Sequence, residues 1–439
     1  MLLPPAVQEW VPERHLARYV VEVVESLDLS MIEQAYRGSG SAGYHPKVML
    51  SLLIYGYATG TFSSRKIEQA TYDSLPFRYI ACNEHPDHDT LSTFRQRFGT
   101  EFANAFVQVL RVARENRMTR FGSVSLDGTK IHANASRHSA LSYGHAEKIE
   151  AQLRGEVAEL LKLADEANRS ARPEEMSVPE ELARREDRLA AIAEAKAKIE
   201  AVAQERFARE QSTYEAKRAA RQAKAEATGK KPGGREPTAP TPGPRPDDQI
   251  NLTDEESRIM RIAGGGFEQS YNAQAAVDTE SMLVVVPFVT QAGNDKEQIQ
   301  PTVERLQALP EEVGCPEKML ADTGYFSLQN VMTCHAAGIE PMLAVGREGH
   351  HPHWSERFEE PLPLADNATP LEAMKHRLKT QKGKALYALR KQTVEPVFGS
   401  IKSVMGFRQF LLRGLENVQN EWTLVCLAWN LKRMAVLRP

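Results

Sequence analysis

Ser123-Val124-Ser125-Leu126-Asp127-Gly128 is the stretch on which the fold turns. Polar and apolar residues alternate along it, the period of a half-buried strand, and Asp-Gly closes it as a turn. The segment therefore predicts a strand that delivers Asp127 at its end. Downstream, the same patterning predicts strands at 271–278 and 282–290, joined as a hairpin by a turn at 279–281. A helix at 296–309 leads to a short strand at 318–321 that ends on Asp322. A helix at 328–337, a strand at 340–345 and a long helical region from about 384 to 434 complete the series.

Upstream, residues 1–118 read as helices. Apolar residues recur at helical spacing over 16–36, 46–57, 64–72, 90–97 and 102–115, between Gly, Pro and Asp/Ser breaks. Asp89 is the expected N-cap of the helix that carries Leu91, Phe94 and Phe98. Arg65, Lys66, Arg95 and Arg97 are expected on exposed positions, which suits a DNA-binding module of the helix-turn-helix kind. A helical packing domain without DNA contacts satisfies the same pattern.

Between the first strand and the hairpin lies sequence of another character. Residues 145–228 hold 16 basic and 18 acidic residues and are rich in Ala. Ile149, Leu153, Val157, Leu160 and Ala164 recur at steps of three and four; Leu182, Leu189, Ile192, Ile199 and Val202 keep steps of three and seven after a break at Arg172-Pro173. Two long helices in an antiparallel, coiled-coil-like hairpin are expected, with a narrow apolar seam. Residues 229–248 cluster Pro and Gly and read as a flexible linker. The arm and linker, 145–250, are thus an insertion between the first and second strands of a domain spanning 119–439.

The chain of 439 residues, 41% hydrophobic and 26% charged, has the composition of a soluble globular protein with two or three domains. Its longest apolar run, 282–289, falls far short of the roughly 20 residues of a membrane span. The N-terminus lacks the pattern of a signal peptide, so a cytoplasmic protein without membrane association is expected. Cys82, Cys315, Cys334 and Cys426 form no CxxC pair, and reduced, mostly buried thiols are expected. A net charge of −3 hides an uneven distribution: from Leu371 onward there are 13 Lys/Arg against 4 Asp/Glu. Such a basic segment is either a nucleic-acid footprint or a solvated surface.

Without the insertion, the order is three strands, helix, strand, helix, strand, helix, the order of an RNase H-like α/β core: a mixed sheet flanked by helices. In that topology the strands ending at Asp127 and Asp322 lie side by side, although the residues are 195 positions apart (322 − 127). Here the motifs Leu126-Asp127-Gly128-Thr129-Lys130, Gly265-Gly266-Phe267, Tyr271-Asn272-Ala273-Gln274-Ala275, Ala321-Asp322-Thr323-Gly324-Tyr325-Phe326-Ser327 and Val394-Glu395-Pro396-Val397-Phe398-Gly399 with Lys402 follow in order. Together they resemble the DDE transposases of bacterial insertion sequences, in the group with a Tyr-Arg-Glu-Lys signature. Residues His45-Pro46 through Arg97 resemble the helical domain that precedes that core. In the signature, Glu395 and Lys402 keep their spacing, whereas Tyr387 and Arg390 sit one place early and Ala388 and Lys391 occupy the Tyr and Arg positions.

The resemblance implies a DNA transposase that cuts transposon ends and joins them to target DNA. Asp127, Asp322 and Glu395 would be its catalytic, metal-binding carboxylates; Lys402, Lys391, Arg390, Tyr387 and Lys130 are candidate DNA contacts. Three carboxylates suit two Mg²⁺ ions, with Mn²⁺ as a substitute, because hard cations take oxygen ligands and neutralise the phosphodiester. Terminal inverted repeats and target DNA are the expected partners, with a homodimer assembled on DNA; no P-loop or nucleotide cofactor is expected. A nuclease that only hydrolyses fits the same residues, and a transposase-derived DNA-binding regulator would have lost a carboxylate. His85, His88, His350, His351 and His353 lack the partners of a zinc site and read as loop histidines; Trp354 is a candidate for base stacking or a plain loop aromatic. Pro396 predicts a helix break at Glu395–Pro396, with Val397, Ile401 and Val404 as an apolar stripe beyond it.

Overall fold

A computed structural model describes residues 7–35, 43–166, 178–229, 233–262, 264–346, 360–364 and 367–438. His350, His351, His353 and Trp354 lie outside these. The strands are β1 (Ser123–His132), β2 (Ala140–Ser142), β3 (Gln249–Asn251), β4 (Arg258–Arg261), β5 (Phe267–Asp278), β6 (Val284–Thr290), β7 (Lys318–Ala321) and β8 (Glu340–Leu343). The chain forms two compact units: Met1–Asn134 with Arg258–Pro439, and Ala135–Ser257.

The first unit is mixed α/β. Its sheet runs β4-β5-β1-β7-β8, and β6 pairs with β5. β4 and β6 share one edge of β5, taking its first and second halves. β1 is antiparallel to β5 and parallel to β7, which is parallel to β8. From Gln269 to Asp278 every residue of β5 is buried, which a central strand covered by helices requires. The helix Leu415–Leu437 is buried on all sides from Glu421 to Leu431. It packs against β6 and against the helices Pro46–Thr59 and Glu101–Glu115, so the N-terminal helices share a core with the C-terminal one.

At that junction Arg95 departs from expectation. It is 7% exposed, donating to the Tyr57 hydroxyl at 3.1 Å and the Phe62 carbonyl at 3.3 Å. The Tyr57 hydroxyl in turn donates to Glu421 at 2.7 Å. Helical periodicity places a residue on a face, but it does not reveal that a carboxylate far along the chain will meet a cation there. The N-cap of that helix is Asp87, not Asp89: its side chain accepts from the Thr90 N–H at 2.8 Å.

The C-terminal helical region also differs. The helix Gln381–Gly399 runs through Pro396 without a break and ends in a π-helical turn, Ser400–Val404. A proline inside a helix costs about 3 kcal/mol. Val394, Val397 and Ile401 are fully buried and Phe398 nearly so, at about 1.5–3 kcal/mol each, so packing outweighs the lost hydrogen bond. The wide turn, closed by Met405 N–H to the Ser400 carbonyl at 2.9 Å, turns Val404 to solvent and buries Met405 in its place. Residues 405–414 are not helical. Gly406 and Gly414, at φ +81° and +80°, bracket them, and the stretch docks beside the end of β1 through His132 N–H to Arg408 O and Phe410 N–H to His132 O.

In the second unit, helices Tyr143–Glu166 and Val178–Thr228 pack together. Leu153, Ile192 and Ile199 are buried between them, with Ile149 and Leu189 at the margin. The small residues Ala146 and Ala195 complete the seam, whereas Val202, expected within it, is 50% exposed. Ion pairs Arg185–Glu156 at 2.7 Å and Lys196–Glu150 at 2.8 Å cross the pair. The Pro/Gly stretch does not run as a free tether. Arg221 donates to the carbonyls of Gly233 and Gly234, and Arg206 to Gly243 O and Asp248. Carbonyls freed by the lack of regular structure need donors, and these arginines supply them. All four cysteines are free; Cys334 and Cys426 are buried, Cys82 and Cys315 exposed. Among the described residues no helix is long and apolar enough to cross a membrane.

Candidate active site

Strand register assembles the first part of the site. Ser125 lies opposite Leu320 in the parallel pair β1/β7. Asp127 and Asp322 each lie two residues beyond that pair, Asp127 still within β1 and Asp322 just past the end of β7, and the Asp322 charge reaches Asp127. Asp322 caps the short turn Thr323–Tyr325, accepting from the Gly324 N–H at 2.7 Å. Asp127 accepts from the Gly128 N–H at 2.8 Å.

The helix Gln381–Gly399 packs on β1 and brings Arg390 and Glu395. Arg390 Nη1 is 3.6 Å from Asp127 Oδ2, and its Nη2 is 3.6 Å from Glu395 Oε1. The Arg390 side chain is 11% exposed, and its buried Nε finds no acceptor. Burial pushes the Asp127 pKa up to about 6; the charges of Asp322 and Asp295 add to this, against the Gly128 N–H and Arg390. Burial likewise raises the Tyr325 phenol well above its usual range, followed by Asp295, Asp127 and Asp322. One buried phenol thus feels three carboxylates at once.

Asp295 was not marked by the sequence. It follows β6 in a Gly293-Asn294-Asp295 turn, and such residues usually signal only a loop. Its Oδ1 accepts from Gln274 Nε2 at 2.6 Å and Asn272 Nδ2 at 2.7 Å, and stands 3.8 Å from Lys130 Nζ. Gln274 Oε1 accepts from the Tyr325 hydroxyl at 2.6 Å. Gly128 lies opposite Gln274 in register, and a Cβ there would stand 2.1 Å from Gln274 Nε2 and 2.7 Å from Asp295 Oδ1. Gly128 is therefore a space requirement inside β1, which runs on to His132 through the Asp127-Gly128 pair expected to end the strand in a turn, because β5 pairs with it throughout.

The other predicted contacts spread around this centre. The Tyr387 hydroxyl donates to Ala321 O at 3.3 Å, next to Asp322. Lys402 Nζ donates to the Lys130 carbonyl at 2.8 Å; burial lowers its pKa, helped by Arg408 and Lys130. Lys130 is lowered by burial too, with Asp295 and Asp127 opposing. Lys391 is exposed and makes no ion pair among the described residues. His85 stacks on Tyr72 at 3.8 Å and His88 bonds Glu68 at 2.8 Å, so both serve local packing.

Carboxylate oxygens are the donors that a hard divalent cation takes. Burial that weakens Asp127 as an acid leaves a site short of positive charge. Among the described residues, no three His, Cys, Asp or Glu side chains stand together at metal-holding spacing. The donor chemistry fits such a cation; the spacing is that of carboxylates gathered around Arg390.

Two comparisons bear on this framework. Residues 5–97 match the family described as Transposase domain (DUF772), and residues 364–435 match the family described as Transposase DDE domain. Together they support a DNA transposase. More particularly, they support one of the insertion-sequence DDE type, for which DNA is the partner. The second match contains Arg390, Glu395 and Lys402; Asp127 and Asp322 lie outside both. No curated protein and no solved structure matches the chain.

Proposed function

We propose that the protein cleaves transposon ends and joins them to target DNA at a centre built on Asp127, Asp322 and Glu395 in an RNase H-like core. The observation that carries this reading is the convergence on Arg390. Asp127 and Glu395, 268 positions apart (395 − 127), both stand 3.6 Å from its guanidinium, while the Asp322 charge reaches Asp127. The sheet supports it: omitting β4, the order is β6-β5-β1-β7-β8 with β5 antiparallel to its neighbours.

Two Mg²⁺ ions, or Mn²⁺ in their place, would neutralise the phosphate, activate the attacking oxygen and stabilise the leaving one. Asp127, Asp322 and Glu395 would hold them through oxygen. Arg390 then gives up its two carboxylates and turns its fork, including the unpartnered Nε, to a phosphate oxygen. Lys402 spends one proton on Lys130 O and keeps two for the DNA backbone. Lys130, Tyr387 and Lys391 lie around the same helix and strand as further backbone contacts. Water attacks the scissile phosphorus and releases a 3′-hydroxyl; that hydroxyl attacks a target phosphorus and releases a target 3′-oxygen. Residues 1–118 would contribute DNA binding, 119–439 catalysis, with the 145–250 arm outside the chemistry, and two copies would assemble on DNA.

Asp127→Asn, Asp322→Asn and Glu395→Gln test the centre. Each is expected to abolish cleavage and joining in Mg²⁺ while retaining DNA binding, and normal strand transfer by any of them would remove that residue from the site. A nuclease that only hydrolyses would cleave without joining in the same assay. A regulator descended from a transposase would cleave nothing.

A further inference from the structure

We propose that the far end of the longer arm helix is a docking surface for the phosphate backbone of duplex DNA, formed by Lys217, Arg218 and Lys224 with Arg235 beside them. It rests on the DNA-acting reading but lies outside the carboxylate site, so the two fail separately.

Charge is distributed unevenly along the helix Val178–Thr228. Between 178 and 203 there are 5 basic and 6 acidic residues. Ion pairs hold all but one of those basic residues: Arg184 and Arg185 with Glu181, Lys196 with Glu150, and Lys198 with Glu194 and Glu255. Between 217 and 235 the count is 7 basic and 1 acidic. Lys217, Arg218 and Lys224 are exposed there, and among the described residues none of them has an ion pair. Arg218 lies over the Tyr214 ring at 5.8 Å, which leaves its charge unneutralised.

Helix geometry gathers these charges. Positions 217, 221 and 224 follow steps of four and three along one face, over about 10 Å of axis. Arg221, in the middle, is half-buried and donates to the carbonyls of Gly233, Gly234 and Arg235. That clasp folds the following segment back along the helix and adds exposed Arg235 to the same end. A helix whose first half is internally neutral and whose C-terminal end exposes Lys217, Arg218 and Lys224 without ion pairs among the described residues fits a polyanion. Duplex DNA carries one charge per about 1.7 Å of axis, a dense line of acceptors for a short cationic face. An acidic peptide or anionic membrane would meet the same charge, but DNA is the polyanion on which this chain acts.

The test uses the full chain in chelator, so that no cleavage occurs. Lys217→Gln, Arg218→Gln and Lys224→Gln are combined, leaving Arg221 and its clasp in place; glutamine keeps helix propensity. Binding to a random-sequence duplex is measured by fluorescence anisotropy from 50 to 300 mM salt. Affinity should fall, and the slope of log K against log salt should become shallower by about 2.7, three contacts at about 0.9 each. The loss should be equal for duplexes with and without transposon ends, and Lys217→Arg with Lys224→Arg should bind as the parent does. An unchanged slope and affinity, with the circular dichroism of the parent, would overturn the proposal. So would a loss confined to phosphatidylserine vesicles or to a polyglutamate probe. Intact binding with dead carboxylate variants would leave this surface standing and the catalytic reading separately judged.

Discussion

The Arg390 guanidinium stands 3.6 Å from the Asp127 carboxylate, yet burial still holds the Asp127 pKa at about 6 against an ordinary 3.8. A folded pKa above the unfolded one means that the native state prefers the proton. The stability this gives is fully present below pH 3.8 and is lost as pH rises through about 6. Above that, the ionised carboxylate costs on the order of 3 kcal/mol. Metal-free Asp127→Asn should therefore be more stable than the parent at pH 7.5 by up to that amount, and nearly equal to it at pH 3.5. Urea titrations in chelator at the two pH values check the sign; a difference that does not change with pH would contradict it.

Asp295 should act as a positioning residue. Asp295→Ala takes the acceptor from the amides of Asn272 and Gln274, which stand at 2.7 and 2.6 Å. Cleavage should slow by about 10–100-fold, the usual cost of removing a supporting hydrogen-bond partner. DNA affinity should change little, and Asp295→Asn should restore part of the rate because it keeps one oxygen acceptor. Equal loss in both variants, or loss of DNA binding alone, would rule the role out.

Gly128→Ala probes the same cluster sterically. The new methyl would stand 2.1 Å from Gln274 Nε2, so the amide must move and its bonds to Asp295 and Tyr325 must lengthen. Overpacking of this kind costs about 1–3 kcal/mol, read as a lower melting temperature. An alanine variant with parental melting and cleavage would show that the space is not needed.

The buried group Arg95–Tyr57–Glu421 should be a stability determinant joining the N-terminal helices to the C-terminal one. Glu421 is fully buried, and burial raises its pKa against Arg95, the Tyr57 hydroxyl and the N–H groups of Leu411 and Leu412. Arg95→Met leaves Glu421 without its cation and should cost about 3–5 kcal/mol. Denaturant midpoints of the parent and variant measure this; a shift below 1 kcal/mol would place the stabilisation elsewhere.

Replacing residues 146–250 by a short Gly/Ser linker should leave a core that melts cooperatively. Residues 135–257 form a compact unit of their own, with Leu153, Ile192 and Ile199 buried in it. An insoluble or non-cooperative product would show that the core depends on the arm.

Much of this fold was legible from local pattern. Alternation marked the first half of β1, and the apolar run closing on Asp322 marked β7 to the residue, because strand period acts within a few neighbours. The turn expected at Asp127-Gly128 did not form, since pairing with the distant β5 carries β1 on to His132. The two arm helices and the carboxylates Asp127, Asp322 and Glu395 as candidates came from spacing and motif order. Pro396 misled for the same reason: its cost is local, whereas the burial of Val394, Val397, Phe398 and Ile401 that overrides it is not.

By itself, then, the sequence marked β5, β6, β7, β8 and the start of β1, most of the helices and the acidic residues to watch, but not the short strands β2, β3 and β4. Tertiary structure alone decided the rest. It seated Arg390 between Asp127 and Glu395, drew Asp295 from a loop to the amides beside Gly128, and buried Arg95 on the Tyr57 hydroxyl that bonds Glu421. Each of these pairs residues far apart in the chain, and their charges and hydrogen bonds acquire strength only where packing excludes water. No local period encodes such a meeting; the sheet register and the helices laid on it bring it about.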